Sequence, residues 1–429
     1  MKKTIIAIVI VAMLASVLAG CTPQAPASSS AAAPASSASA STDSAAASAG
    51  TAAAGNTGKG DVTIWYYWET QLHQVALNKL IDNFNKSQSD ITVTAKYIPF
   101  ADFKKQLSIG VAASNLPDLV IMDNPDLASY AAMGIFEDIT GKFDTANYFP
   151  GPLNSCTLDS KLYGVPVGSN DLCLFYNTDM LKAAGVSVPT TWDELKAAAA
   201  KLTSGKVKGF AFSALQNEEG DFGFTTFLWS TGASSYEMNS PGGIKALTYV
   251  KDLFDAGSIS KDCINWTQGD VMNQFISGNA AMMINGPWQL PTMRKDSKGV
   301  NWDVAPLPKD AKPATGLGGE DWGVIKGGNT DASLTFLKYA TSKENSLDLL
   351  NALGYISSRS DIAATQFTSD KQMQTFVDQL QYAQARGPHP KWPSISDAIS
   401  LAFNEVITGA NTPENAATKA QTTIDGIIK

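Results

Sequence analysis

Histidine is almost missing from this chain: His73 and His389 are the only two in 429 residues. A Ser-His-Asp triad or a multi-histidine metal site would have to use one of them, and both read as solvated or structural residues. Cysteine is as scarce, at four. The spacing of Cys156, Cys173 and Cys263 fits no zinc motif. These three read as buried free thiols, although any one pair can form a disulfide and the sequence does not choose among the three pairings. There is no phosphate loop, no Gly-x-Ser-x-Gly elbow, no HExxH and no Gly-x-Gly-x-x-Gly. No Lys/Arg patch appears, and 32 basic against 40 acidic residues give a formal charge of −8. That balance argues against nucleic-acid binding and against adhesion to anionic membranes. Paired carboxylates for glycoside hydrolysis remain open, because forty Asp and Glu allow many pairs.

What is present is ordinary globular material, 44% hydrophobic and 17% charged, in a chain long enough for two domains. Residues 1–20 read as a secretory leader. Lys2 and Lys3 supply its charge, and the apolar run Ile5–Leu18 is too short for a comfortable membrane span. It ends Leu18-Ala19-Gly20-Cys21, which resembles a bacterial lipobox in which Cys21 is diacylated and becomes the anchor. From Thr22 to Gly60 the chain is Ala/Ser-rich and nothing in it can form a core, so residues 21–60 read as the lipidated Cys and a disordered tether.

The folded head opens with Val62–Trp68 as a strand, and Leu72, Ala76, Leu80 and Phe84 mark the helix after it. Ile91–Ala95 alternates as a second strand, Phe103, Leu107 and Val111 mark a second helix, and Asp118–Met122 is an apolar third strand. Strands alternating with helices imply a parallel sheet with right-handed crossovers. Thr191-Trp192-Asp193-Glu194 is a capping box that opens another helix. A strand near Phe210–Ser213 and helices near Phe222–Ser230 and Ile244–Phe254 extend a second α/β body, and from Asp331 onward the chain reads as helices.

Val271–Arg294 organises the rest. A short amphipathic helix ends at Gly278, the run Ala280–Ile284 suits a buried strand, and the turn residues Asn285, Gly286 and Pro287 deliver Trp288 to a strand end. Strand ends of open α/β sheets are where ligands bind. This stretch resembles the extracellular solute-binding proteins of ABC importers, in the sugar-binding family that includes maltose-binding protein. The Asn115–Val120, Tyr163–Pro166, Pro189–Glu194 and Gln384–Pro388 segments resemble it too, in the same order.

The resemblance implies an α/β, two-lobed, periplasmic-binding-protein-like fold. Each lobe is expected to be a mostly parallel sheet flanked by helices, with three crossings forming a hinge near Val167–Asn170, Met283–Asn285 and Gly323–Lys326. Residues 61–169 and 285–324 are expected in the first lobe, and 170–284 and 325–429 in the second. It further implies a non-enzymatic receptor without a cofactor, monomeric and lipid-anchored on the extracytoplasmic face of a bacterial membrane. Such a receptor would close on a mono- or oligosaccharide and hand it to a permease driven by a cytoplasmic ATPase. The alternatives are a receptor for a polyol phosphate or a ferric ion, or a lipid-anchored glycoside-active enzyme.

Sugar rings have apolar faces and hydroxyl rims, so aromatics beside amides and carboxylates are the residue types to look for. Aromatic candidates are Trp65, Tyr67, Trp68, Trp229, Trp288, Trp322 and Trp392, of which Trp288 matches a family stacking position. Polar candidates carried over from the resemblance are Glu69 after the first strand, and Asp123 and Asn124 after the third. Asn170, where a relative has glutamate, stands beside Asp171. Glu320 and Asp321 precede an expected hinge crossing, and Arg359 and Arg386 are multidentate donors. The loop Gln216–Phe222 is a further contact region.

Overall fold

The computed structural model describes residues 58–387 and 389–429, so the leader, Cys21 and nearly all of the tether lie outside the described residues. The chain begins β1 (Gly60–Tyr66), α1 (Gln71–Ser87), β2 (Ile91–Tyr97), α2 (Phe100–Ala113), β3 (Leu119–Asp123) and α3 (Asn124–Ala132). Strand β1 buries Val62, Ile64 and Tyr66 in strict alternation, and α1 buries Leu77, Leu80, Ile81 and Phe84 along one stripe. Strands β2, β1 and β3 are parallel neighbours, the β-α-β-α-β unit expected from the pattern. Val111, expected on the inner face of α2, is exposed.

Next come α4 (Pro150–Ser155), the short pair β4 (Thr157–Leu158) and β5 (Lys161–Leu162), then β6 (Gly164–Asn170) and β7 (Cys173–Asn177). Helices α5 (Thr178–Ala184), α6 (Trp192–Leu202), α7 (Glu218–Ser230), α8 (Pro241–Asp255) and α9 (Gln268–Ile276) follow. The box at Thr191 caps α6 as read, and Asn217 and Ser240 cap α7 and α8. Strand β8 (Met282–Asn285), α10 (Leu290–Asp296), β9 (Trp302–Ala305) and β10 (Thr315–Val324) precede α11 (Thr330–Ala340) and α12 (Lys343–Leu353). The chain closes with α13 (Ser360–Ala363), α14 (Lys371–Gln379), β11 (Ala383–Ala385), α15 (Trp392–Thr408) and α16 (Pro413–Ile428).

The main sheet runs β11-β10-β3-β1-β2, with β6 also paired to β10. Strand β10 is antiparallel to both β3 and β6. A smaller sheet, β8-β7-β9, is antiparallel rather than parallel as expected. Its parallel neighbour is the segment around Phe210, which makes only isolated bridges, Lys208 to Ala280 and Ala211 to Met283.

Apolar side chains fall into two large cores and a smaller one. The first holds β1–β3, α1, Trp322 and the α11–α12 residues Leu334, Phe336, Leu337, Leu349 and Leu350. The second holds α6–α8 with Trp392, Phe403 and Ile424 of the last two helices. The third, with Phe175, Val271, Phe275, Leu290, Met293, Val304 and Phe376, lies along the small sheet.

This division corrects the expected boundaries. Residues 285–305 stay with the second body, because β8 and β9 flank β7. Residues 325–353 return to the first. There the Asp118 carboxylate accepts hydrogen bonds from the backbone of Thr63 at 2.8 Å and of Asn329 at 2.7 Å, tying the start of α11 to β1 and β3.

The crossings shift accordingly. One is Asn170–Leu172 and the second reaches Thr315, whose hydroxyl bonds both Leu172 N and Leu172 O at 3.1 Å. The third follows Tyr355: Ser169 and Ile356 exchange backbone bonds of 2.8 and 2.9 Å, Arg359 still bridges Tyr148 of the first core, and Met373 and Phe376 already pack in the third. The expected crossing at Met283–Asn285 falls inside β8, and that at Gly323–Lys326 falls at the far end of β10, where Ile325 bridges Phe136 of the first core.

The three described cysteines are free and buried, Cys156 in the first core, Cys263 in the second and Cys173 in the third. Among the described residues no helix is long and apolar enough to cross a membrane.

Candidate functional site

A cavity of about 380 Å³ lies where the cores meet, within the range of small-molecule sites. The first core lines it with Tyr67, Trp68, Asp123, Glu320 and Tyr355, and the second body with Glu218, Phe222, Asp270, Met272 and Trp288. Chain direction explains why these residues converge. Strands β1 and β3 are parallel, so their C-terminal ends deliver Tyr67–Glu69 and Asp123 to the same rim. Helices α7 and α9 start at that rim, and each bears carboxylates in its first turn, where the N-terminal dipole favours negative charge.

Aromatic surface forms one wall. Trp288 stacks on Phe222 at 6.2 Å between centroids and 23° between planes, and the Arg386 guanidinium covers Phe222 at 4.1 Å. Both rings depend on missing side chains. A Cβ at Gly286 would lie 1.9 Å from the Trp288 ring, and one at Gly316 would lie 2.3 Å from the Phe222 ring.

Beneath that wall lies a buried ionic network. Arg386 makes two bonds to Asp123, at 2.8 and 2.9 Å, and a third to Glu218 at 2.7 Å. Glu218 also accepts from Trp392 Nε1 at 3.1 Å and lies 3.8 Å from Lys104, which is 3.1 Å from Asp126. Burial opposes ionisation of Glu218, but Lys104 and Arg386 outweigh it and hold its pKa below the usual carboxylate range. For Asp123 burial prevails over Arg386 and raises the pKa.

On the opposite wall Glu320 Oε1 accepts from Tyr67 at 3.0 Å and Tyr355 at 2.7 Å, and burial pushes the carboxyl up to about 7. Burial likewise lifts Glu219 to about 7, with Glu69 and Asp270 adding to the rise. The buried His73 is lowered to about 4 by desolvation. Five cavity-lining residues carry a buried polar atom without a hydrogen-bond partner: Trp68 Nε1, His73 Nε2, Thr292 Oγ1, Glu320 Oε2 and Arg386 Nε.

Of the candidates read from sequence, the structure brings Tyr67, Trp68, Glu69, Asp123, Asn170, Trp288, Glu320 and Arg386 to the cavity. The others lie elsewhere. Trp65 sits half-buried beyond the rim with Lys96 over its ring at 5.2 Å. Asn124, already in the first turn of α3, is buried. Asp171 is sealed at a crossing, where Gln379 donates to it at 3.3 Å. Trp229 belongs to the second core and donates to Ser235 at 3.1 Å.

In β10 the cavity is reached by Glu320 and left at once. A register shift in the β10–β6 pairing falls between Glu320 and Asp321. Asp321 sits beside Ser155 and Cys156, and Trp322 packs edge-on against Phe336 in the first core. Arg359 pairs with Asp361 at 2.8 Å and covers Tyr148, away from the cavity. Trp392 does not line the cavity and acts behind it, as a donor to Glu218.

The cavity is also lined by residues the sequence did not mark one by one, among them Phe100, Glu218, Glu219, Phe222, Asp270, Gln289, Thr292 and Tyr355. The Asn217-Glu218-Glu219 start of α7 was a readable cap signal within the expected contact loop. Tyr355 follows Gly354, the left-handed C-cap of α12, and nothing in the local pattern marks it.

A family profile described as bacterial extracellular solute-binding protein matches residues 79–375. The chain belongs to that family. Its members are binding proteins, not enzymes, and an extracytoplasmic location goes with the family. This solute-binding protein is 24% identical over 361 residues to a binding protein of Brucella abortus, covering 81% of this chain and 88% of the relative. The lactose-binding protein of Rhizobium radiobacter is 26% identical, over 66% of this chain and 71% of its own. Among solved structures, an ABC transporter solute-binding protein of Thermotoga lettingae bound to α-D-tagatose is 27% identical. It superposes with a TM-score of 0.79 over 86% of this chain and all of its own.

Proposed function

We propose that this solute-binding protein captures a neutral carbohydrate in the cavity between its cores and delivers it to the permease of an ABC importer. The observation that carries the reading is the set of five unpartnered polar atoms around a cavity that also presents Trp288 and Phe222. Buried polar groups without partners cost about 1–3 kcal/mol each, and a polyhydroxylated ring that also stacks on an aromatic satisfies several at once. The lactose and tagatose bound by the similar proteins have that chemistry.

Charge opposes the phosphate alternative. Glu69, Asp123, Glu218, Glu219, Asp270, Asp296 and Glu320 line the cavity against Lys295 and Arg386, and Arg386 is already taken by two carboxylates. A ferric site is opposed by Tyr67 and Tyr355. Both donate their hydroxyl protons to Glu320, and burial raises their pKa, the reverse of what a phenolate ligand needs.

The contacts assigned to ligand are Tyr67, Trp68, Glu69, Asn170, Trp288 and Glu320, with Arg386 and Asp123 fixing the wall behind. Binding draws the two bodies together about the three crossings, since a ligand touching both favours the closed arrangement. Cys21 carries the lipid that holds the monomer at the outer face of the membrane, so Cys21→Ala is expected to release the protein into the soluble fraction and to lack acyl mass.

The ligand test is a thermal-shift screen with neutral mono- and oligosaccharides. At 100 times its dissociation constant a ligand stabilises by about 2.7 kcal/mol. Stabilisation by a sugar phosphate but by none of the neutral sugars would sink the proposal.

A further inference from the structure

Two of the unpartnered atoms form a matched pair. Glu320 is 5% exposed and Trp68 is 2% exposed, and both line the cavity. Tyr67 and Tyr355 both donate to Glu320 Oε1, which fixes the carboxylate in place and leaves Oε2 as an acceptor with no donor. Trp68 Nε1 lies near Glu320 and Tyr355 and makes no well-formed hydrogen bond to either. The indole is close enough to Glu320 to favour its ionised form, yet the two make no bond of acceptable geometry. The Trp68 ring stands edge-on to Tyr355 at 6.4 Å and 89°.

One orphaned buried atom is a local defect. A rigid donor and a rigid acceptor side by side are the complement of a hydroxyl, the group that accepts and donates through a single atom. An ammonium offers nothing for the indole to donate to, and above about pH 7, where Glu320 is ionised, a phosphate or carboxylate offers no proton to Oε2.

We propose that Trp68 Nε1 and Glu320 Oε2 together read one free hydroxyl of the bound sugar, which accepts from the indole and donates to the carboxylate. The inference rests on the carbohydrate reading and deepens it. The site selects a neutral glycan whose hydroxyl at this position is unsubstituted, and it discriminates against the deoxy, O-alkyl or phosphorylated form of the same ring. Because the pair is built on the β1–α1 connection and on β10, it belongs to the first core.

The experiment compares wild type, Glu320→Gln and Trp68→Phe. Each is screened by thermal shift against neutral mono- to trisaccharides, including D-tagatose, lactose, maltose and mannobiose, and hits are measured by calorimetry. Sugars that bind wild type are expected to bind each variant roughly ten- to a hundred-fold more weakly, the effect of losing one hydrogen bond to a charged or buried group. Unliganded Glu320→Gln is expected to melt at or above wild type, because it removes a buried carboxylate, so weakened binding is not a folding defect.

Monofluoro analogues of the tightest-binding sugar add a readout that packing alone does not move. Fluorine accepts but cannot donate, so one fluorinated position should lose ten-fold or more on wild type and much less on Glu320→Gln. Affinities within three-fold of wild type in both variants would overturn the inference, as would fluoro penalties equal in wild type and Glu320→Gln at every position. If no neutral sugar shifts wild type at all, the carbohydrate reading falls and this inference falls with it.

Discussion

Replacing Arg386 by methionine tests whether the ionic network holds the junction together. The substitution keeps an apolar stem over Phe222 and removes the guanidinium. Asp123 then loses both of its bonds to that group, at 2.8 and 2.9 Å. Glu218 loses one of 2.7 Å but keeps Trp392 and the nearby Lys104. Breaking a buried pair from one side leaves a charge with neither water nor partner and costs about 3–5 kcal/mol. Most of that cost falls on Asp123, and it is avoidable by protonation. Arg386→Met is therefore expected to lose about 3–5 kcal/mol at pH 7.5 in denaturant melts, with the deficit shrinking toward pH 5 as Asp123 takes up a proton in the folded state. Adding Asp123→Asn should recover part of the loss at pH 7.5 and remove most of the pH dependence. A deficit under about 1 kcal/mol, or one that does not change with pH, refutes the reasoning.

Trp288→Ala should weaken sugar binding by about 2–4 kcal/mol, as aromatic anchors do. Its apo stability loss should stay below the 3–5 kcal/mol of a fully buried tryptophan, because Trp288 is only half-buried; calorimetry and apo melts on one sample separate the two effects. Gly286→Ala should displace that ring, since its Cβ would fall 1.9 Å from it, and should cut affinity without adding or removing any polar contact. Stability should fall as pH rises from 6.5 to 8.5. Burial raises Asp126, Glu219 and Glu320 to about 7 and Asp321 to about 8, so across this window the folded chain binds more protons than the unfolded one. Each such carboxyl contributes at most about 1.4 kcal/mol per pH unit. His73, lowered to about 4, acts with the opposite sign and only below about pH 6.5, so a flat or rising melting temperature between pH 6.5 and 8.5 would contradict this account.

Local physics was legible in the sequence, and long-range pairing was not. The helix after the first strand, the cap at Thr191 and a short strand before Trp288 each depend on a few neighbouring residues; the strand expected over Ala280–Ile284 spans Met282–Asn285, and the buried stripe of α1 runs through Leu77, Leu80, Ile81 and Phe84 rather than through Leu72 and Ala76. The return of α11 and α12 to the first core has a simple cause. A helix shows that it has an apolar face but not which core receives it, so α11 and α12 were indistinguishable from the helices around them. Packing of Phe336 on Phe84 and Trp322, with the Asp118–Asn329 bond across 211 residues, returns α11 to the first core. The tryptophans divide for the same reason. Trp229, Trp322 and Trp392 have the composition of a binding wall but supply ordinary core, whereas Trp288 was separable because a turn places it at a strand end.

The polar half of the site was hidden more deeply, because its defining property is burial of charge. Nothing near Glu218 in sequence announces that it will lie 3% exposed, since its guanidinium partner is 168 residues away. A usable signal did exist in β10, where Gly316, Gly318 and Gly319 crowd a strand that would otherwise favour branched side chains. At Gly316 the absent Cβ makes room for Phe222, a ring contributed by the other body. Glycine within a strand thus marks where a neighbour must come close. Here it stands in the same strand as Glu320, the cavity-lining carboxylate that accepts from two tyrosines. The strand carrying that carboxylate also bonds β3 and β6 and leads into the crossing at Thr315. On the proposed reading, the carboxylate that meets the ligand is mounted on the strand that starts at the Thr315 crossing, which would couple occupancy of the cavity to the arrangement of the crossings.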